Sequence, residues 1–434
     1  MKNPKLSILS LLLTLFLCFA PGAQSQEIDP EINKAAEGIE KKVIDWRRDF
    51  HQYPELSNRE FKTAEKIAAH LKTMGMEVQT GIAKTGVVGI LKGNNPGKVV
   101  ALRADIDALP VTERNDLPFK SNVTAEFQGV TTGVMHACGH DTHTAILMGV
   151  AEILSKNKDK INGTVKFIFQ PAEEGPPPGE EGGASVMIKE GVLKNPDVDA
   201  IFGLHISSNT PVGKIEYKPE GIMAAVEEFV IKVQGKGTHG SAPWSGVDPI
   251  LISAKIIDGL QTIISRESKL VDAPAVITVG KISSGVRFNI IPETAEMVGT
   301  IRTLDADMKT LILKRMNEMV PAIAAAFGGS ATLEVRNNTA ITFNDVALTS
   351  QMLPTLQGIA GADNVLLMKP TTGGEDFSFF QEEIPGLYFF LGGQPVGTTT
   401  PAPHHTPEFF IDESGMLLGV KVMSQLAIDY LNKK

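Results

Sequence analysis

The stretch Val99-Val100-Ala101-Leu102-Arg103-Ala104-Asp105-Ile106-Asp107 is a short apolar run that ends in two carboxylates. A run of this length and composition reads as a strand. The same pattern returns twice. Residues 164–169 lead into Gln170-Pro171-Ala172-Glu173-Glu174-Gly175, and residues 200–204 lead into His205. Residues 86–91 form a further strand-like run, joined to residues 99–104 by a Gly/Asn/Pro turn. Residues 142–154 carry helical apolar spacing, and residues 31–71 look helical apart from a break near Gln52-Tyr53-Pro54. Strands alternating with helices predict an α/β layer with a largely parallel sheet. Sites in such sheets form where loops leave the carboxyl ends of strands, and the three polar clusters lie there.

The pattern changes near Gly221. Residues 227–234, 275–281, 294–303 and 331–336 read as strands, and residues 249–266 and 307–327 as helices. The order β-α-β-β-α-β is the split ferredoxin-like arrangement. From Asn338 the α/β character returns and ends in a helix near residues 417–431. We therefore expect one domain from residues 27–220 and 338–434, interrupted by an α+β domain at 221–337. Residues 175–183, rich in Gly, Pro and Glu, read as a loop beside the site.

Bulk properties narrow the function. An apolar fraction of 42% can build real cores, and a net charge of -9 argues against nucleic acid or anionic lipid as partners. Lys2 and Lys5, the apolar run at 8–20 and Ala23-Gln24-Ser25 read as a secretory signal over residues 1–26. The expectation is an exported protein, periplasmic or secreted, with no membrane segment once the signal is removed. Of the two cysteines, Cys18 lies in that segment, so Cys138 would be the mature chain's lone thiol. Exported proteins normally pair their cysteines, and metal ligation explains one that has no partner.

Cys138 lies in His136-Ala137-Cys138-Gly139-His140-Asp141-Thr142-His143. The Cys-x-His spacing lets two donors reach one ion from a tight turn, with Gly139 relieving the crowding. Sulfur with imidazole suits zinc or a similar transition ion. The Glu173-Glu174 pair fits the same chemistry, because neighbours on an irregular loop can face different targets. One carboxylate can bind the ion while the other takes a proton from water, whose pKa a metal lowers to ~7. His205 and the His404-His405 pair near the C-terminus supply further imidazoles.

The stretches HACGHDTH, RADIDALP, FQPAEEG, GLHI, GKGTHGSAP, FNIIPETA, GGEDF and HHTPEFF resemble those of the zinc-dependent amidohydrolase family. That family includes hippurate hydrolases, N-acyl-L-amino acid amidohydrolases, thermostable carboxypeptidases and plant hydrolases of auxin–amino acid conjugates. The resemblance runs from about Trp46 to the C-terminus. It implies a zinc-exopeptidase-like catalytic domain with an inserted lid and dimerisation domain. It also implies metal ligands at Cys138, His140, Glu174, His205 and His405, the last preferred to His404 because it directly precedes Thr406-Pro407. Glu173 would be the general base, and His239 would help hold the oxyanion. Asn289 and Arg302 would contact substrate, some lid groups reaching across a dimer. Asp105 and Asp107 would orient ligand imidazoles. His136 and His143 are assigned to packing or to supporting contacts, and Gly373-Gly374-Glu375-Asp376 to shaping the pocket.

The resulting expectation is a hydrolase of N-acyl amino acids or short peptides that uses one or two divalent ions, zinc or else manganese, nickel or cobalt. The partner is a small-molecule substrate, and the assembly a homodimer or a tetramer. Two other readings compete. A noncatalytic exported metal- or ligand-binding protein would lack a base or a ligand. A hydrolase with Cys138 as nucleophile would leave the Glu pair and His205 without a task.

Overall fold

The computed structural model describes residues 27–433, so the expected signal segment lies outside the described residues. The first helix, Pro30–Gln52, starts where Asp29 Oδ1 accepts the backbone N–H groups of Glu31 (2.9 Å) and Ile32 (3.4 Å). It stops just before Pro54, and a second helix follows at Phe61–Thr73. No helix among the described residues is long and apolar enough to cross a membrane.

Eight strands form the main sheet. Their spatial order is Glu77–Ile82, Gly86–Lys92, Asn162–Gln170, Asn95–Asp105, Ala200–Pro211, Gly386–Gln394, Ile215–Tyr217 and Val365–Leu367. The four strands from Asn162–Gln170 to Gly386–Gln394 run parallel. Gly86–Lys92 pairs antiparallel on both of its sides, and Gly386–Gln394 meets Ile215–Tyr217 antiparallel. The sheet is therefore mixed, which corrects the expectation of a largely parallel one. The first hairpin shows why: Glu77–Ile82 and Gly86–Lys92 are joined by a tight turn through Ala83 and Lys84, both at positive φ. A parallel pair needs a crossover of a dozen or more residues.

Three helices, Pro30–Gln52, His140–Lys156 and Met416–Asn432, pack together on one face. They share a core that includes Ile32, Phe50, Leu147, Phe167, Phe202 and Leu426. The other face is covered around Ile168, Met187, Phe377, Phe380 and Tyr388.

A separate four-stranded sheet runs in the order Ala275–Ser284, Thr294–Thr303, Ala225–Gln234 and Ser330–Thr339, all neighbours antiparallel. With Pro249–Thr262 and Ala306–Ala326 these elements follow the β-α-β-β-α-β order read from the sequence. Phe229, Ile231 and Val233 point inward by strand alternation. Met308, Ile312, Met316, Val320 and Ala324 form the buried helical stripe that meets them. The loop before the helix Phe377–Glu383 approaches the smaller sheet closely at Gly374, where an added Cβ would lie 2.3 Å from Val226 Cγ2.

Candidate metal centre

The helix His140–Lys156 begins directly after the Cys138-Gly139 turn. Gly139 has φ +100, and a Cβ there would sit 2.3 Å from Ile206 Cγ2. Both the backbone angle and the missing side chain are needed to bring the Cys138 and His140 side chains into one space. Cys138 is buried and is the free cysteine of the described residues.

Three imidazoles reach that space with one nitrogen each. His140 Nδ1 lies 3.0 Å from the Asp107 carbonyl oxygen and 3.1 Å from Asp107 Oδ1, so it donates there. Its buried Nε2 has no hydrogen-bond partner and faces Glu173 Oε2 at 3.8 Å. His205 Nδ1 donates to the Ile206 carbonyl at 2.6 Å, which leaves Nε2 3.4 Å from Cys138 Sγ. His405 Nε2 lies 3.3 Å from Cys138 Sγ and 3.0 Å from Glu174 Oε1. That carboxylate oxygen is buried with no aligned hydrogen bond. These protonation states are assigned from the surrounding bonds.

His405 holds φ +65, uncommon for a residue with a side chain, and its N–H is tied to the Ala137 carbonyl at 2.8 Å. Ligand atoms of Cys138, His140 and His205 lie within 4.8 Å of one another. The same holds for Cys138, Glu174 and His405, and for His140, Glu173 and Glu174. Buried ligand atoms without hydrogen-bond partners, His140 Nε2 and Glu174 Oε1, stand within these overlapping sets and fit a bound cation, and the sulfur–imidazole–carboxylate chemistry fits a transition ion.

The remaining histidines are engaged differently. His143 donates from Nδ1 to Asp105 Oδ1 at 2.6 Å, and its Nε2 accepts the Ile206 N–H at 2.8 Å. His404 Nδ1 donates to the Cys138 carbonyl at 3.1 Å, and its Nε2 accepts the Ser208 N–H at 3.2 Å. Neither has a lone pair left for an ion. His136 is buried without a partner on either nitrogen, and burial pulls it down to about 4. Asp107 also accepts Ser57 Oγ (2.7 Å) and the Glu174 N–H (3.1 Å), and so links the ligand imidazole to the Glu pair.

The electrostatics of the cluster call for positive charge. Burial, then the Glu174 and Glu173 carboxylates, push the Cys138 thiol well up. Burial, then Glu375 and Glu174, push Glu173 well above the usual carboxylate range. Burial and the neighbouring His143 hold His205 well below its ordinary value, in the neutral form that binds metals. A divalent ion would reverse the first two shifts, because it becomes the largest local charge.

A cleft of about 1070 Å³ opens over this cluster and includes Glu173, Glu174, His205, His405 and Arg302 in its lining. Arg302 donates to Thr300 Oγ1 (3.1 Å) and reaches the Thr372 carbonyl at 3.5 Å. His239 and Asn289 are not brought to this cleft within one chain. They lie together on the smaller sheet unit, where Gly240 N–H donates to the Asn289 carbonyl at 2.8 Å. The His239 side chain is exposed, and its Nδ1 accepts from Ser241 Oγ at 2.7 Å.

His205 lies inside the strand Ala200–Pro211 rather than after it. Pairing with Asn95–Asp105 ends at Arg103–Gly203, which opens the space beside His205. Arg103, Gln170 and Tyr388, which carry no recognisable role in the sequence, form a buried network with Glu375 and Asp376 beside Glu173. The available signal was a charged residue inside an apolar strand.

Residues 101–429 match the peptidase family M20/M25/M40. The chain is 43% identical over 397 residues to thermostable carboxypeptidase 2 of Saccharolobus solfataricus, covering 91% of this chain and 97% of that one. It is 38% identical over 381 residues to an N-acetyl-L-cysteine deacetylase of Bacillus subtilis, covering 87% and 86%. The crystal structure of the Bacillus subtilis YXEP protein, described as a dinuclear metal binding peptidase, superposes with a TM-score of 0.77 at 34% identity, covering 92% of this chain and 100% of that one. With matches of this length joined to that donor cluster, the chain belongs to peptidase family M20/M25/M40 and is a metal-dependent hydrolase.

Proposed function

We propose that this protein cleaves the amide bond of N-acyl amino acids or short peptides, with Glu173 as general base. One observation carries the reading: donor sets that overlap through Cys138 or through His140 leave His140 Nε2 orphaned and lie against Glu173. Cys138, His140, Glu174, His205 and His405 would hold the metal, and two overlapping sets that both contain Cys138 suit two ions. Zinc is the first choice for a thiolate–imidazole set, with manganese, nickel or cobalt as alternatives. A bound divalent ion supplies a Lewis acid for the scissile carbonyl and acidifies water.

The chain's own groups do the rest. Glu173 accepts a proton from the attacking water and returns it to the leaving nitrogen. Arg302, hydrogen-bonded to neutral acceptors at Thr300 and Thr372, offers its fork to the substrate's free carboxylate. Met223, Val226, Met368 and Phe390 give the cleft an apolar wall for an acyl group or side chain. His239 and Asn289 would serve the site from a second copy, so the working form is a homodimer and the smaller sheet unit its lid. We further propose export to the periplasm or beyond. A noncatalytic binding role is not favoured, because no ligand and no base is missing.

The test is Glu173→Gln in protein reconstituted with Zn²⁺ or Mn²⁺. Metal content should match wild type, while kcat on a panel of acyl amino acids and dipeptides falls by about 10²–10⁴. Full turnover by this variant would remove Glu173 from the role. Light scattering should give a dimer mass, and a monomer with full activity would refute the second-copy contribution.

A further inference from the structure

Arg103 is a fully buried arginine that satisfies its donors with side chains from several parts of the chain. Its Nη1 donates to Asp105 Oδ2 at 2.6 Å and its Nε to Gln170 Oε1 at 2.8 Å. Its Nη2 donates to Glu375 Oε1 at 3.0 Å and to Asp376 Oδ1 at 3.1 Å. Two of these acceptors are themselves fixed. Glu375 also accepts from Tyr388 Oη (2.6 Å) and the Phe377 N–H (2.9 Å). Asp376 accepts from Gln170 Nε2 (2.6 Å) and the Ala184 N–H (2.8 Å). The surroundings are shaped to seat them. A Cβ on Gly183 would meet Asp376 Oδ2 at 2.5 Å, and one on Gly203 would meet the Tyr388 ring at 2.8 Å.

The acceptors lead in two directions. Asp105 Oδ1 bonds His143, whose other nitrogen accepts the Ile206 N–H directly after His205, and it lies 3.8 Å from His140 Nδ1. Glu375 and Asp376 bring oxygens within 4.8 Å of Glu173 and of each other. One planar guanidinium thus spans from the acid that steadies the imidazoles to the acids that border Glu173. An ammonium cannot reproduce a fork that holds acceptors in fixed, coplanar directions.

We propose that Arg103 is a positioning residue for the hydrolysis, setting the distance between the imidazole side of the site and Glu173 through Asp105, Glu375 and Asp376. This rests on the reading of Glu173 as the base. Arg103 touches neither substrate nor ion. Its effect belongs to the chemical step, because misplacement of a reacting group by about 1 Å is worth ~10²-fold in rate.

The experiment compares wild type, Arg103→Lys, Tyr388→Phe and Glu173→Gln, each reconstituted with Zn²⁺. Metal content, melting temperature, kcat and KM are measured for each. Arg103→Lys should keep its metal, lose about 10²-fold in kcat and hold KM within a few-fold. Tyr388→Phe, which deletes one bond to Glu375 and keeps the ring, should show a smaller loss in kcat in the same direction. It also covers the case in which Arg103→Lys fails to fold. Wild-type kcat in both variants, with Glu173→Gln inactive, overturns the positioning role alone. So does a fall in kcat that only tracks lost metal. Turnover by Glu173→Gln overturns the base assignment and this inference with it.

Discussion

Replacing Gly139 by alanine tests the central claim that the Cys138-Gly139-His140 turn is what makes the donor cluster. Two costs add. At φ +100 a side chain meets its own backbone, worth about 1–2 kcal/mol. The new methyl would also lie 2.3 Å from Ile206 Cγ2 in a buried wall, and overpacking of this kind costs about 1–3 kcal/mol. The total of about 2–5 kcal/mol is a large share of a typical folding free energy. Urea unfolding of EDTA-treated protein reads this without the metal's contribution. Gly139→Asn separates the two costs. Asparagine tolerates positive φ but still carries a Cβ, so it should recover at most the backbone share and keep the steric one. Because Cys138 and His140 flank the turn, zinc affinity should fall at least about tenfold. A loss below about 0.5 kcal/mol, or full rescue by asparagine, would refute the steric account.

Four further outcomes are expected. His405→Ala should lower metal affinity at least about tenfold, whereas His404→Ala, whose nitrogens serve the Cys138 carbonyl and the Ser208 N–H, should keep both affinity and ion count closer to wild type. Competition with a chromophoric chelator reads both, and equal losses would reverse the preference for His405. Chelation should lower the melting temperature and abolish turnover, with recovery on adding Zn²⁺ or Mn²⁺; activity that survives chelation and yields to a thiol alkylator would favour Cys138 as nucleophile. Glu173→Gln should separate metal binding from turnover, with metal content at the wild-type level and kcat lower by about 10²–10⁴. The buried His51 should make stability depend on pH. Burial and Arg47 oppose its charge, but Asp141 (2.8 Å) and Glu113 (3.2 Å) outweigh them and raise its pKa. Its stabilisation is therefore complete below the unfolded value of about 6.5 and is lost as pH rises through the higher folded value. His51→Gln should remove that decline from urea midpoints measured between pH 6 and 9; an unchanged slope would count against it.

Much of the chemistry was legible in the sequence because it is local. The His136–His143 octapeptide fixes a thiol and an imidazole two residues apart. The runs ending in Asp105 and Glu173 announce strand ends by their change from apolar to acidic. The alternation from Glu227 onward gives the β-α-β-β-α-β order, since burial of one face imposes period two on a strand and near four on a helix.

Other decisions needed the folded chain. Strand partners are nonlocal: Asn162–Gln170 slots between Gly86–Lys92 and Asn95–Asp105, which are neighbours in sequence and do not pair with each other. His404 and His405 have the same side chain and adjacent positions. Only the Cys138 carbonyl and the Ser208 N–H use up the nitrogens of one of them, while a positive φ turns the other toward Glu174. Arg103 reads as an interruption of an apolar strand until Glu375 and Asp376, some 270 residues away, arrive beside it. The sequence specifies which groups must leave water; which of them meet is set by packing, because a buried donor is stable only where the fold supplies its acceptor.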